Sequence, residues 1–341
     1  MKTYMPAEWA EHEATFLTWP HRPEIWRGVH DACETAFAEI AAQLTTAETT
    51  HINVPDLAWA RRVRERVLAA GGVEENLRLH LIDSNDVWCR DHGPTVVYEQ
   101  LAQERRRLFL DWEFNAWGDK YASDLDNLVP EKLALALGVA RTKPGLVLEG
   151  GGIEVNGAGD LLTTESVLLN ENRNPGVSQD ELERRLRKLL GVSNIVWLGD
   201  GLTGDDTDGH IDDLSRFVDE KTIVSVMPDS STHHDWAPLE ENFRRLKDAT
   251  AARGGRFDVL PLPMPAPVDF EGELLPASYA NFYIANGLVL VPIFGDPNDG
   301  RALGMLRELF PGRRVHGVDC RAIVSQYGAI HCISQQLPKA P

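Results

Sequence analysis

Four stretches of this sequence each read as two β-rich runs joined by a turn-forming link. They are DVWCRDHGPTVVYEQ with RRRLFLDWEF, GGIEVNGAGDLLTTESVLL, GHIDDLSRFVDEKTIVSVM and ANFYIANGLVLVPIFG, and the links include NGAGD, DEK and NG. They recur about every 60 to 70 residues, each followed by a helix or loop, and that spacing predicts a pseudo-symmetric α/β assembly rather than a doubly wound sheet. Neither a GxGxxG fingerprint nor a Walker loop is present, which removes the usual nucleotide-binding readings.

Helical periodicity predicts helices over PEIWRGVHDACETAFAEIAAQL from Pro23, LAWARRVRERVLAAGG from Leu57 and WAPLEENFRRLKDATAARGG from Trp236. In SQDELERRLRKLLG, Ser178 and Glu181 have capping-box spacing and Gly191 marks the end. The Pro-rich PLPMPAPVDFEGELLP from Pro261 is expected to be a loop. With no linker visible, residues 1–341 are expected to form one domain.

A chain of 341 residues with 43% hydrophobic residues can bury a large core. Its longest apolar runs, such as GLVLVPIFG from Gly287, fall well short of the roughly 20 residues of a membrane span. The segment MKTYMPAEWAEHE carries charge where an export signal needs an apolar stretch, so a cytoplasmic location is expected. A net charge of −18 disfavours nucleic acid and suits a small cationic ligand.

Residues 204–213, GDDTDGHIDD, crowd five aspartates around His210. Like charges at this density require a cation nearby. A calcium loop with Gly209 at its sixth position would have Gly204 first and Ser215 last, and both fail as ligands. The DxHxD spacing of Asp208, His210 and Asp212 resembles manganese ureohydrolases, but the second acidic strand of that family is missing. If residues 208–212 are extended, Asp208, His210 and Asp212 share one side, where a carboxylate could orient the ring as a general acid or base.

The cysteines at 33, 89, 320 and 332 show no CxxC pairing, so thiol chemistry is the remaining option. Cys33 falls on an apolar helical face, Cys320 has nothing catalytic beside it, and Cys89, read as part of a strand, faces away from Trp88 and Arg90. Cys332 in AIHCISQQLP is the candidate nucleophile. On an extended segment its neighbour His331 would diverge from it, which leaves His210 as the base. Trp88 and Asp91 in NDVWCRDHGP, and Glu149 before three glycines in LVLEGGG, complete the candidates.

Taken in order, MPAEWAEHEATFLTWPHRPEIWRG, NDVWCRDHGPT, DWEFNAWGDKY, LEGGGIEVNGAGDLL, NENRNPGVS, GDDTDGHIDD, SYANFYIANG, FGDPND and IHCISQQLP resemble motifs of the agmatine deiminase family, in the guanidine-modifying pentein superfamily. The resemblance implies a five-bladed α/β propeller of ββαβ units around a central cleft, with no metal and no organic cofactor, and a homodimer or larger assembly. It implies Cys332 as nucleophile, His210 with Asp212 as acid/base, and Asp91 and Glu149 as the carboxylates that hold a guanidinium. Trp88 is similar to the aromatic flanking the substrate, and Asp206 to an acidic position lining the same cleft. The family commonly has GGGNIHC before the cysteine, where this chain has SQYGAIHC, with Gln326, Tyr327 and Ala329 substituted. Rival readings are a deiminase of peptidyl-arginine, a deiminase of free arginine using Arg90 or Arg173 for its carboxylate, and a non-catalytic guanidine binder.

Overall fold

In the computed structural model, which describes residues 2–102 and 104–341, five small sheets share one strand pattern: an antiparallel pair whose second strand accepts a parallel third. Thr95–Leu101 pairs with Glu104–Leu110, which takes Ala140–Thr142 alongside. Glu154–Val155, Asp160–Thr164 and Asn194–Leu198 repeat the arrangement, as do Ser215–Phe217, Thr222–Val226 and Asp258–Leu262. Tyr283–Ala285, Leu288–Ile293 and Arg314–Asp319 form a fourth. In the fifth, Ser334–Pro338 runs antiparallel to His12–Thr18, with Thr49–Val54 and Leu77–Leu81 following in parallel. Each parallel step needs a crossover, and helices supply it. They are Val129–Leu137, Gln179–Leu190, Trp236–Asp248, Asp299–Leu309, His30–Thr45 and Leu57–Ala69.

The helix Gln179–Leu190 shows why these elements form. Ser178 Oγ accepts from the Glu181 backbone N–H, Gly191 ends the helix at φ 72°, and Leu182, Leu186 and Leu190 repeat every fourth residue on the buried side. Each buried leucine stabilises the fold by about 2 kcal/mol. Leu288–Ile293 is buried almost throughout, as expected of a strand covered on both faces. Among the described residues no helix is long and apolar enough to cross a membrane.

Four local expectations change. The helix expected from Pro23 starts at His30, because Arg27 (φ 43°) and Gly28 (φ 81°) break the periodic segment. Cys89–His92 is one helical turn rather than strand, and Thr95 begins the strand. Glu165–Leu168 is likewise a helical turn. Within the segment read as a loop, Val268–Phe270 and Glu273–Leu275 form a hairpin.

Candidate active site

Turns that interrupt the regular elements bring the acidic, aromatic and thiol side chains to one pocket. Ile25, Asp86, Trp88, Asp91, Trp117, Tyr121, Asp206, Thr207, Gln326, Tyr327, Gly328 and Cys332 line a concave pocket that opens to solvent. No lysine or arginine lines it. Asp86 and Asp91 are both pushed up to about 6, chiefly by burial; around Asp91 the neighbouring Asp212 and Glu149 add to the effect and His210 opposes it.

Asp91 projects from the turn Cys89–His92, and both its oxygens are held: Oδ1 accepts from Gly151 N at 2.9 Å and Oδ2 from Trp117 Nε1 at 3.0 Å. Trp117 reaches it because Ala116 and Trp117 take the left-handed conformation, with φ 47° and 58°. Gly151 has no alternative here, since a Cβ would lie 2.4 Å from His210 Nδ1 and 2.9 Å from Asp91 Oδ1. Of the three glycines after Glu149, Gly151 therefore admits the histidine itself, while Gly150 lies against the Arg90 carbonyl.

His210 is fully buried, and its Nδ1 stands 3.8 Å from Asp91 Oδ1 and 3.9 Å from Asp212 Oδ1. Neither ring nitrogen has a hydrogen-bond partner, and Glu149 Oε2 and Asp212 Oδ1 are also unpartnered. Burial works to lower the His210 pKa, but Asp91, Asp212, Glu149 and Asp205 together outweigh it and hold the imidazolium above its usual range. Four unpartnered polar atoms buried side by side mark a site built to receive something.

Cys332 lies on the other side of the same carboxylate. Its S–H faces Asp212 Oδ2 at 3.7 Å, and Asn281 Nδ2 donates to Sγ at 3.0 Å. Asn281 Oδ1 also accepts from the backbone N–H groups of His331 and Cys332 at 2.9 and 3.3 Å, so a single amide sets the position of the thiol. Burial, reinforced by Asp212, Asp213 and Asp91, drives the Cys332 thiol well above its ordinary pKa.

Residues 208–212 are not extended: Asp208 (φ 71°) and Gly209 (φ 111°) turn the chain, and Ile211–Asp213 is a 3-10 turn. Asp208 consequently parts from His210 and Asp212 and binds cations instead, Arg173 at 2.7 Å and Lys120 at 3.0 Å. That removes the acidic member on which the manganese reading depended. Cys332 sits in a turn before Ser334–Pro338, and the His331 ring is held away as a bridge, Nδ1 to Asp212 Oδ2 and Nε2 to Glu8 Oε2, both at 2.7 Å. Asp212 stays below the ordinary carboxylate range because His331, His210 and Arg216 offset its burial.

Arg90 and Arg173 are buried and occupied. Arg90 donates to Gln335, Gln336 and Glu8, and Arg173 to Glu149, Asp208 and the Thr207 carbonyl. Neither lines the pocket. Sequence reasoning missed Glu8, Trp117, Asn281 and Arg216; Glu8, Trp117 and Asn281 lie inside quoted motifs, but their partners are distant in sequence.

The profile of the family described as Porphyromonas-type peptidyl-arginine deiminase matches residues 4–338. The agmatine deiminase of Stutzerimonas stutzeri is 37% identical over 361 residues, covering 98% of this chain and 95% of that protein. A C. jejuni agmatine deiminase carrying a cysteine-to-serine change, with substrate bound, superposes with TM-score 0.90 at 32% identity, covering 99% of this chain and 97% of that one. An Enterococcus faecalis agmatine deiminase gives TM-score 0.91 at 31% identity over 99% and 96% of the two chains.

Proposed function

This chain belongs to the Porphyromonas-type peptidyl-arginine deiminase family, and from that membership and the chemistry of the site we propose that it is an agmatine deiminase, a hydrolase that converts agmatine to N-carbamoylputrescine and ammonia. One observation carries the choice of substrate: a pocket lined by Asp86, Asp91 and Asp206 and by four aromatic rings, with no basic side chain in its wall, ends at a buried thiol. Such a pocket stabilises a ligand that is cationic at both ends and apolar between. Free arginine would bring its carboxylate among these aspartates, and the nearby cations Arg90, Arg173, Arg27 and Lys120 are already paired with carboxylates. The five sheets of like strand order support an arrangement as blades of a propeller around this cleft.

Asp91 and Glu149 hold the guanidinium N–H groups, Asp212 lies beside its carbon, and Trp88 flanks the arm. Asp206 lies toward the amine end. The bound cation offsets the carboxylates that kept Cys332 protonated, and the thiol loses its proton toward Asp212. The thiolate then attacks the guanidinium carbon. The C–N bond to one terminal nitrogen breaks, His210 gives that nitrogen a proton, and ammonia leaves an amidino-thioether on Sγ. His210, now neutral, takes a proton from water, whose oxygen attacks the same carbon. As the C–S bond breaks the C=O bond forms, the hydroxyl proton leaves with the ammonia as ammonium, and the sulfur takes back the proton held at Asp212, which releases the ureido product and restores the thiol.

Ureido product and ammonia measured from agmatine, free arginine and a peptidyl-arginine test this reading. Agmatine is expected to exceed arginine in kcat/KM by about 100-fold or more, because the added carboxylate meets Asp86 and Asp206 in the wall while Lys120 and Arg27 beside it are already paired with carboxylates. Equal turnover of the two overturns it. Inactivation by a thiol alkylator but not by EDTA separates this chemistry from a metal-dependent one.

The pH profile has a defined sign. A cation is held by ionised Asp91, so kcat/KM should fall as pH drops through about 6, by about tenfold between pH 7 and pH 5. A profile that is flat across that window counts against Asp91 as an anionic anchor.

A further inference from the structure

Tyr327 holds φ 69°, a conformation costly for a bulky side chain and free for glycine. It lies in the pocket wall five positions before Cys332. Its hydroxyl donates to Glu273 Oε2 at 2.7 Å and accepts from Arg27 Nη2 at 2.6 Å. Arg27 Nη1 meets the same Glu273 oxygen at 2.5 Å, and its guanidinium carbon lies 5.3 Å from the centre of the tyrosine ring. Three segments remote in sequence thus converge on one phenol: the loop after His12–Thr18, the hairpin of Val268–Phe270 and Glu273–Leu275, and the turn leading to the nucleophile. Arg27 (φ 43°) and Glu271 (φ 55°) are left-handed too.

The place of this cluster gives it a use. Cys332 and Asp91 are buried at the inner end of the pocket, whereas the side chains of Arg27 and Glu273 remain 27% and 53% exposed, so the phenol end of Tyr327 stands at the mouth. Tyr121, whose hydroxyl donates to Asp206 Oδ2 at 2.7 Å, is the other tyrosine of the lining and is itself exposed. Directly beneath, Gly328 lets the chain lie against Trp88, where a Cβ would come within 2.3 Å of the indole ring. Trp88, Gly328 and Tyr327 therefore follow one another along the pocket wall. Exposed ion pairs add little to global stability, so the strained backbone at Tyr327 has a local purpose.

We propose that Tyr327, latched by Arg27 and Glu273, is the specificity-determining wall of this site: it caps the outer end of the pocket and restricts it to guanidines with a short, unblocked arm, excluding those whose distal end is acylated or part of a peptide. The proposal rests on the agmatine deiminase reading for its choice of substrates. Its steric part stands apart from that reading.

Two readouts on Y327G, Y327F and R27A test it. The first is the ratio of kcat/KM for agmatine acylated on its amine to that for agmatine itself. Y327G, which relieves the backbone as it removes the ring, should raise this ratio by about tenfold or more, and Y327F and R27A should raise it by about threefold through loss of the latch. The second is alkylation of Cys332, followed by mass spectrometry, with iodoacetamide and with a bulky N-aryl maleimide. Y327G should accelerate the maleimide selectively. Both ratios staying within about twofold of the parent protein in Y327G overturn the proposal. If Y327G alone responds, the latch is overturned and the ring is left as the wall. Should the parent protein fail to hydrolyse agmatine, the functional reading fails while the alkylation ratio still decides the wall. If Y327G melts early, R27A and Y327F decide on both readouts.

Discussion

Replacing Cys332 by alanine is expected to lower kcat for ammonia release from agmatine by at least about 10⁴-fold, since no other thiol or hydroxyl takes over a covalent step once the nucleophile is gone. Serine should do no better. Its hydroxyl keeps the contacts to Asn281 and Asp212, but it is a far weaker nucleophile in a site that already disfavours the thiolate. The fold should survive, because the change removes one sulfur atom from a wall whose backbone is fixed by Asn281 and by the hydrogen bond from Arg90 N to the Cys332 carbonyl at 3.0 Å. Turnover within tenfold of the parent, in a variant with an unchanged melting transition, would remove Cys332 from the mechanism.

The largest loss of stability is expected at Glu8. One buried carboxylate accepts from Arg216 at 2.9 Å, from Arg90 at 3.3 Å, from His331 at 2.7 Å and from the Ile284 backbone N–H at 2.8 Å. Glu8→Ala leaves Arg90 buried without its counter-charge and Arg216 with Glu154 alone, at 3.2 Å, and breaking a buried pair from one side costs about 3–5 kcal/mol. Urea unfolding measures this, and a loss below about 1 kcal/mol would show that water or a repacked neighbour replaces the carboxylate. Activity should fall as well, because His331 would lose one of the two carboxylates that fix its ring against Asp212. Burial would raise the Glu8 pKa, but Arg216, His331 and Arg90 hold it well below the carboxylate range. For a lowered carboxylate the stabilisation is present above its unfolded pKa and is lost only as pH falls through the folded one. The Glu8 contribution should therefore persist into acid that already protonates Asp91, so binding fails before the fold does.

Much of this site was legible in the sequence because the chemistry is carried by local strings. GHID and IHC each put the relevant side chain beside a turn, and Cys332, Asp91, Trp88 and Asp206 meet in one pocket with His210 and Asp212 directly behind. The recurring hairpins were legible for the same reason: NGAGD, DEK and NG are turn chemistry readable within a few residues. What failed was conformation set by tertiary contact. Residues 208–212 alternate as a strand would, but Asp208 is drawn away by Arg173 and Lys120 and the alternation is lost. Cys89–His92 sits amid strand-forming residues yet coils for one turn, with Gly93 bonded back to Cys89. Asn281 and Glu8 carry no local signal of their task, since their partners lie 51 and up to 323 positions away.

The strand Ser334–Pro338, laid antiparallel against His12–Thr18, follows the reactive sulfur by two residues. The thiol's surroundings are thus completed by a seam between segments remote in sequence, Ser334 lying opposite Leu17, a closure costly in conformational entropy. A partly folded chain can hold several finished sheets and still have no competent nucleophile. Reactivity toward guanidines should emerge together with that seam, late and all at once, which keeps the sulfur chemically idle until the protein around it is whole.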